Sequence, residues 1–317
     1  MEPTLESLIQ ARGAIHPATR IGAVHLTVAD LEGQIAFYEQ MIGLRLLERE
    51  GATASLGVTG GGADAGSSLL RLTEVREARR TTGTTGIYHF AILLPSRKEL
   101  GRVIARLFSL RYPNSPTDHV MTQTTYLEDP EGNTIEIYAD TPEAGVMGVV
   151  NGQFIARRVD GVPSSGRDPL DVEALFRLLS PEDRLEAPMP AETRMGHVHL
   201  YVADLDKTLH FYHDILGFDN MGVGRSFRMG MVSAGGYHHH IGFNTWLGEG
   251  APAPPADALG LRYFTVVLPD EKELETVLER IQGAGIPRKE MEEGVLVRDP
   301  SQNGVLLTVE RSNGKTL

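Results

Sequence analysis

The sequence predicts a mixed α+β protein built from four related modules, each a strand and a helix followed by two or three strands. Residues 21–44 and 195–218 match without a gap at an offset of 174 residues. Residues 88–95 and 262–269 share a second pattern at the same offset. Similarity at a fixed distance is typical of duplicated structural units.

The first and third modules begin with the same three signals. A short alternating strand leads to Asp30 or Asp204, each followed by leucine. A carboxylate at this position accepts the free N–H groups of a helix start. The amphipathic segments that follow end at Gly43 and Gly217, where glycine tolerates the positive φ of a helix C-terminus. The pattern therefore predicts a strand and then a helix.

The second and fourth modules also share their order. Strands at 88–95 and 262–269 lead into helices predicted at about 96–108 and 270–283. Each module then ends in a strand that follows an Asp-Pro turn, with a shorter loop before that turn in the fourth module. The predicted modules are 21–76, 87–140, 195–246 and 261–311. Around them we predict an N-terminal extension (1–20), a first domain (21–140), a linker with a helix near 171–179 (141–190) and a second domain (191–317).

The composition excludes several classes of site and partner. Of 317 residues 41% are hydrophobic, which is enough for a sizeable core. The absence of cysteine excludes disulfides, thiolate metal sites and a cysteine nucleophile. The net charge of −12 argues against nucleic acid or an anionic membrane as a partner. Because no signal peptide or membrane-length apolar run is evident, we expect a cytoplasmic protein.

The four modules resemble the vicinal-oxygen-chelate superfamily, whose βαβββ modules are glyoxalase/bleomycin-resistance-like. The resemblance implies two domains of mixed sheets that curl around a metal. Four modules in one chain is the organisation of type I extradiol ring-cleaving dioxygenases. Residues 88–95 and 235–246 are similar to the bacterial catechol-2,3-dioxygenase-like branch.

In that superfamily a module offers one metal ligand on its first strand and one on its last. The resemblance puts these positions at His89 and Glu136 in the second module and His197 in the third. The matching positions of the first and fourth modules hold Ala23, Tyr263 and Leu306. Two imidazoles and a carboxylate form a facial triad that suits Fe(II), with Mn(II) as the alternative metal.

The predicted triad requires a particular pairing of the four modules. Its ligands meet only if the second module pairs with the third, and the first with the fourth. If the first module pairs with the second instead, the ligands are divided between two incomplete sites. His25 would then be a candidate to complete a site with His89 and Glu136.

The resemblance also implies catalytic residues. His239 takes the place of an active-site acid/base; on an alternating strand, His238 and His240 would face away from it. Tyr126, ten residues before Glu136, is the expected hydrogen-bond donor to substrate, and His119 is a further candidate for substrate contact. His25 and His199 occupy equivalent positions, which favours a packing role for both.

The implied activity is Fe(II)-dependent extradiol cleavage of a catechol by O2. The partners are then a small aromatic substrate and O2, and a homo-oligomer is expected from the family. Two alternatives stay open. One is a glyoxalase-like metal-dependent lyase or isomerase, which the lack of a second matching glutamate disfavours. The other is a non-catalytic small-molecule binding protein of the same fold.

Overall fold

The computed structural model describes residues 8–60, 67–150 and 152–309. Every module consists of one strand, one helix and three strands, which confirms the α+β class and the βαβββ pattern. The first module comprises β1 (Arg20–Val28), α1 (Leu31–Phe37), β2 (Arg45–Glu50), β3 (Thr53–Val58) and β4 (Ser67–Glu74). The second comprises β5 (Gly86–Leu93), α2 (Arg97–Ser109), β6 (Ser115–Asp118), β7 (Thr122–Glu128) and β8 (Thr134–Asp140).

The predicted linker has secondary structure of its own. It contains β9 (Gly145–Val150), β10 (Gln153–Arg158), β11 (Asp168–Pro169) and α3 (Val172–Phe176). Helix α3 is shorter than the predicted 171–179. The backbone N–H groups of Leu178 and Leu179 donate to carbonyls three residues back, so these residues form tight turns and do not continue the α-helix.

The second half of the chain repeats the modular order. The third module comprises β12 (Arg194–Tyr201), α4 (Leu205–Leu209), β13 (Asp219–Gly224), β14 (Met229–Ser233) and β15 (Ile241–Asn244). The fourth comprises β16 (Gly260–Leu268), α5 (Glu271–Gly283), β17 (Arg288–Met291), β18 (Gly294–Arg298) and β19 (Gly304–Val309). The first seven residues of the predicted extension and the chain after 309 lie outside the described residues.

Two mixed sheets combine the modules across the halves of the chain. The 2–3 sheet, from the second and third modules and β11, has the order β11-β6-β7-β8-β5-β12-β15-β14-β13. The 1–4 sheet, from the first and fourth modules, has the order β17-β18-β19-β16-β1-β4-β3-β2. Antiparallel pairs β5–β12 and β1–β16 join the modules. This is the pairing that the triad requires; the predicted domain boundaries stay a prediction.

The helix ends follow the sequence signals. Asp30 accepts from Gly33 N at 3.0 Å, and Asp204 accepts from Lys207 N at 2.9 Å. Helices α1 and α4 continue into single π-helical stretches, which end beside Gly43 (φ 92°) and Gly217 (φ 95°). The predicted N-caps and the positive φ of both glycines are therefore confirmed.

Two buried hydrogen bonds tie the sheets together. The Tyr38 hydroxyl, after α1, donates to Asp129 in the second module at 2.9 Å. The Tyr212 hydroxyl, after α4, donates to Asp299 in the fourth module at 3.2 Å. Both tyrosines are fully buried, so each bond satisfies a polar group that water cannot reach. The repeated Tyr and Asp-Pro positions of the sequence thus meet pairwise between the two sheets.

Candidate metal centre

The predicted metal ligands lie on three neighbouring strands of the 2–3 sheet. Glu136 on β8 and His197 on β12 both stand opposite Ala91 on the central strand β5. His89 precedes Ala91 by two residues and so projects from the same face. The small side chain of Ala91 leaves space between the flanking ligands.

The three side chains converge on one point. His89 Nε2 and His197 Nε2 are 3.3 Å apart, and each lies 3.2 Å from Glu136 Oε2. All three side chains are buried, with exposed fractions of 6% or less. In the parts of the chain that the structure describes, this is the one group of three His, Asp or Glu ligands within 4.8 Å of one another.

The donor set and its spacing fit a divalent metal. A triangle with edges of 3.2–3.3 Å matches one face of a coordination sphere with bonds of about 2.0–2.2 Å. Two neutral imidazoles and one carboxylate leave one net negative charge for the cation. This set is the 2-His-1-carboxylate arrangement, which leaves positions open for substrates.

The protonation states favour metal binding. Burial raises the pKa of Glu136, but the facing His197 and His89 outweigh it and hold that pKa well below its usual range. Burial lowers the pKa of His197 to about 4. At pH 7 the carboxylate is therefore charged and the His197 imidazole is neutral, the forms in which both bind metals.

A cavity of about 280 Å³ opens beside the triad. Its apolar wall consists of Met121, Met147, Phe154, Phe227, Met229 and Met231. Tyr88 and Trp246 add aromatic surface. An apolar cavity with a few converging polar groups is the usual form of a small-molecule site.

The linker supplies part of the cavity wall. Met147, Phe154 and residues 165–167 all line the cavity, although they lie between the predicted domains. The sequence reasoning missed this contribution, because the linker carries no repeat or motif that relates it to the site. His238 was missed as a cavity residue as well.

The conformation predicted around His239 is wrong. Residues 234–240 form a turn between β14 and β15, not an alternating strand. Gly235 (φ 63°) and Gly236 (φ 78°) take left-handed conformations that end β14 and turn the chain. As a result His238 and His239 both line the cavity, whereas His240 bonds to Ser233 Oγ at 3.0 Å.

His239 lies beside the triad and lines the cavity. Its ring centroid is 4.2 Å from that of His197. Its Nδ1 is 2.7 Å from His238 Nδ1, which leaves Nε2 for a ligand. Burial lowers the pKa of His239 well below its usual range, and the imidazole is neutral at pH 7.

Tyr126 and His119 form a hydrogen-bonded chain with the linker. Tyr126 stands opposite Glu136 in the sheet, and its hydroxyl is 2.8 Å from His119 Nε2. His119 Nδ1 bonds to the Gly166 carbonyl oxygen, which can only accept. In a neutral His119 the proton is therefore on Nδ1, and Tyr126 donates to Nε2. Burial, followed by the charge of Glu136, raises the pKa of Tyr126, so the hydroxyl keeps its proton.

In the 1–4 sheet, the region equivalent to the metal site holds other side chains. The Tyr263 hydroxyl donates to Glu293 at 3.2 Å, and Glu293 also pairs with Arg71. His25 Nε2 bonds to Thr73 Oγ1 at 2.8 Å and packs edge-on against Tyr263. An internal ion pair, Arg71 with Glu293, thus lies where the 2–3 sheet has its cavity, and the contacts of His25 are consistent with the predicted packing role. His199 differs, because it bonds to Asn244 and also lines the cavity.

Comparison with known proteins agrees with this architecture. Residues 20–137 and 194–307 match the family described as "Glyoxalase/Bleomycin resistance protein/Dioxygenase superfamily". The chain belongs to that superfamily, as its modules predicted. Its described helices include none with the length and apolarity that crossing a membrane requires.

One relative is similar enough to indicate the class of enzyme within this superfamily. It is 40% identical over 289 residues to catechol-2,3-dioxygenase of Bacillus subtilis (strain 168), covering 90% of this chain and 96% of that protein. The prediction of an enzyme of the dioxygenase type is therefore confirmed.

Two solved structures share the fold. One is a provisionally assigned dioxygenase from Bacillus subtilis subsp. subtilis str. 168 (TM-score 0.62, 15% identity, 95% of this chain and 88% of that one). The other is glyoxalase I from Zea mays (TM-score 0.53, 17% identity, 92% of each chain).

Proposed function

We propose that the protein catalyses extradiol (meta) cleavage of a catechol-type aromatic by O2, with Fe(II) held by His89, Glu136 and His197. The observation that carries this proposal is the convergence of their three ligand atoms, 3.2–3.3 Å apart, beside an apolar cavity. The likeness to a catechol-2,3-dioxygenase supports the same reaction class. We place the reaction in the cytoplasm, and Mn(II) is the alternative metal.

Some residues of the site bind the metal and the substrate, and His239 transfers a proton. Bound by the triad, the metal supplies open coordination positions and a path for electrons between an aromatic diol and O2. The methionines and phenylalanines of the cavity hold the ring and exclude water. With its proton on Nδ1, directed at His238 Nδ1, neutral His239 keeps Nε2 free to accept a hydroxyl proton from the substrate and later return it.

Tyr126 orients the substrate through its hydroxyl oxygen. With its proton directed at His119 Nε2, that oxygen accepts a hydrogen bond from a substrate hydroxyl. Donation to the substrate, the role predicted for Tyr126, requires its proton to turn away from His119.

The test is anaerobic reconstitution with Fe(II), Mn(II), Zn(II) or Ni(II) in separate samples, followed by catechol and then air. We expect O2 uptake equal to the catechol consumed, and a yellow ring-cleavage product, with Fe(II). Binding of Zn(II) or Ni(II) together with failure to bind Fe(II) would move the protein to the lyase or isomerase class. Failure to bind any of the four metals would leave a binding protein.

The acid/base role of His239 is tested separately. His239→Asn should retain the metal and lose about 100-fold or more in kcat, the usual contribution of a positioned acid/base. His240→Asn is the matched control, since it changes the same turn at a residue that bonds to Ser233. Wild-type turnover in His239→Asn would contradict the assigned role.

A further inference from the structure

A single arginine lines the cavity beside the triad. Among the cavity residues in the described chain, Arg167 is the one lysine or arginine, and Glu136 is the one carboxylate. Its guanidinium carbon is 5.9 Å from the centre of the Tyr126 ring. Arg167 is exposed, so it lies where the cavity meets solvent. A cation therefore stands over the ring that flanks the metal ligands.

In the described residues the Arg167 side chain has no carboxylate partner. The nearby Asp168 and Arg158 are paired with each other. The adjacent Asp168 accepts from Arg158 at 2.9 Å and from Ser164 Oγ at 2.6 Å. Arg158 in turn also pairs with Asp118. The nearest acid in the sequence is thus already committed to another arginine, and Arg167 remains available to a ligand.

The backbone around Arg167 is fixed. Asp168 Oδ1 accepts from Ser165 Oγ at 2.7 Å, and Ser165 Oγ accepts from Arg167 N at 3.0 Å. The Gly166 carbonyl bonds to His119, and β11 pairs with β6 at the edge of the 2–3 sheet. The linker therefore presents Arg167 at a set position, which reduces the entropy lost on binding.

We propose that Arg167 selects aromatic substrates that carry an anionic ring substituent, a carboxylate above all. This inference rests on the proposed function and names the substrate class of the same cavity. A planar guanidinium binds a carboxylate through two parallel N–H···O bonds, which a neutral substituent cannot offer. The apolar wall would hold the ring between the triad and Arg167.

The test compares two ligands of similar shape and different charge. 3,4-Dihydroxybenzoate and 4-methylcatechol are titrated without O2 into the Fe(II) protein, and the fluorescence of Trp246 is followed with correction for ligand absorbance. Trp246 is the one tryptophan of the chain and lines the cavity, so it reports binding without turnover.

We expect the carboxylate to bind more tightly, and the ratio of the two Kd values to fall about tenfold in Arg167→Gln, the size of one charge-assisted pair. Arg167→Glu should disfavour the anionic 3,4-dihydroxybenzoate. It should instead favour a cationic ligand, 4-(2-aminoethyl)catechol. Arg177→Gln, elsewhere in the linker and outside the cavity, is the matched control. Added salt should weaken the wild-type preference.

Three outcomes separate failure of the Arg167 proposal from failure of the proposed function. If both ligands bind with the same ratio in the wild type and Arg167→Gln, the proposal on Arg167 is overturned, whatever the turnover. If the ratio depends on Arg167 but no diol is cleaved in air, the extradiol function fails and the anion preference stands. Loss of all binding in Arg167→Gln, with normal iron content and melting temperature, would assign Arg167 to general cavity structure and overturn the selective role.

Discussion

Replacing Glu136 by glutamine separates metal binding from folding. The change keeps the shape of a side chain that is 3% exposed, and removes the one negative charge of the triad. Loss of a residue that merely supports a ligand costs about 10- to 100-fold in metal affinity. Loss of the charged ligand itself should cost more than about 100-fold.

The expected size of the effect on melting follows from the metal concentration and the chain length. A metal present at about 1,000 times its Kd stabilises the folded state by about 4.1 kcal/mol. With an unfolding entropy of about 2.1 cal/mol/K per residue, this raises the Tm of a chain of this length by about 6 °C. Glu136→Gln should lose most of that increase. The metal-free variant should melt within about 2 °C of the metal-free wild type, because glutamine fills the same buried space as glutamate.

The assay is differential scanning calorimetry with and without Fe(II) under anaerobic conditions, together with metal analysis after desalting. Glu293→Gln is the matched control, because Glu293 is a half-buried carboxylate of the 1–4 sheet, paired with Arg71. That variant should melt earlier and still retain the metal. Full iron content and an unchanged metal-induced shift in Glu136→Gln would refute the triad.

Three other predictions test the hydrogen bonds and the pH dependence. Tyr126→Phe should retain iron and lose about 10- to 100-fold in kcat; loss of iron would show that its role is structural instead. Tyr212→Phe should lower the free energy of unfolding by about 1–3 kcal/mol in urea, since it leaves buried Asp299 one donor short; an unchanged midpoint would contradict the inter-sheet role. Burial, then Arg262 and Arg71, lowers the pKa of His25 to about 3, so folded His25 stays neutral while the unfolded chain gains a proton below pH 6.5. Stability should therefore fall on acidification, and between pH 5.5 and 4.5 the wild type should lose about 1.4 kcal/mol more than His25→Gln; parallel curves would exclude this contribution.

Local sequence was enough for the modules and their ends. Asp30 and Asp204 cap helices because a carboxylate reaches only the N–H groups within its own first turn, and such a signal needs no distant partner. The two glycines at the helix ends follow the same logic. The triad was implied by the resemblance to the superfamily, which says where each module carries its ligands, and comparison of the four modules then showed that one set of these positions holds two histidines and a glutamate.

The turn at His239 shows where this reasoning failed. Alternation predicts a strand, but two consecutive glycines with positive φ turn the chain before β15. Gly235 and Gly236 stand just before the three histidines in the sequence. A glycine pair between two strands is a turn signal, and it outweighs the alternation of the residues that follow.

The sequence by itself determined the repeat, the βαβββ order and the helix caps, and its resemblance to a known superfamily implied the candidate ligands. The tertiary structure decided which modules pair, and so whether His89, Glu136 and His197 meet. It also placed the linker against the cavity, where Gly166 and Arg167 face His119 and Tyr126. The reason is that strand pairing and wall contacts join residues distant in the chain, and such pairings depend on the packing of whole sheets, which no local pattern encodes.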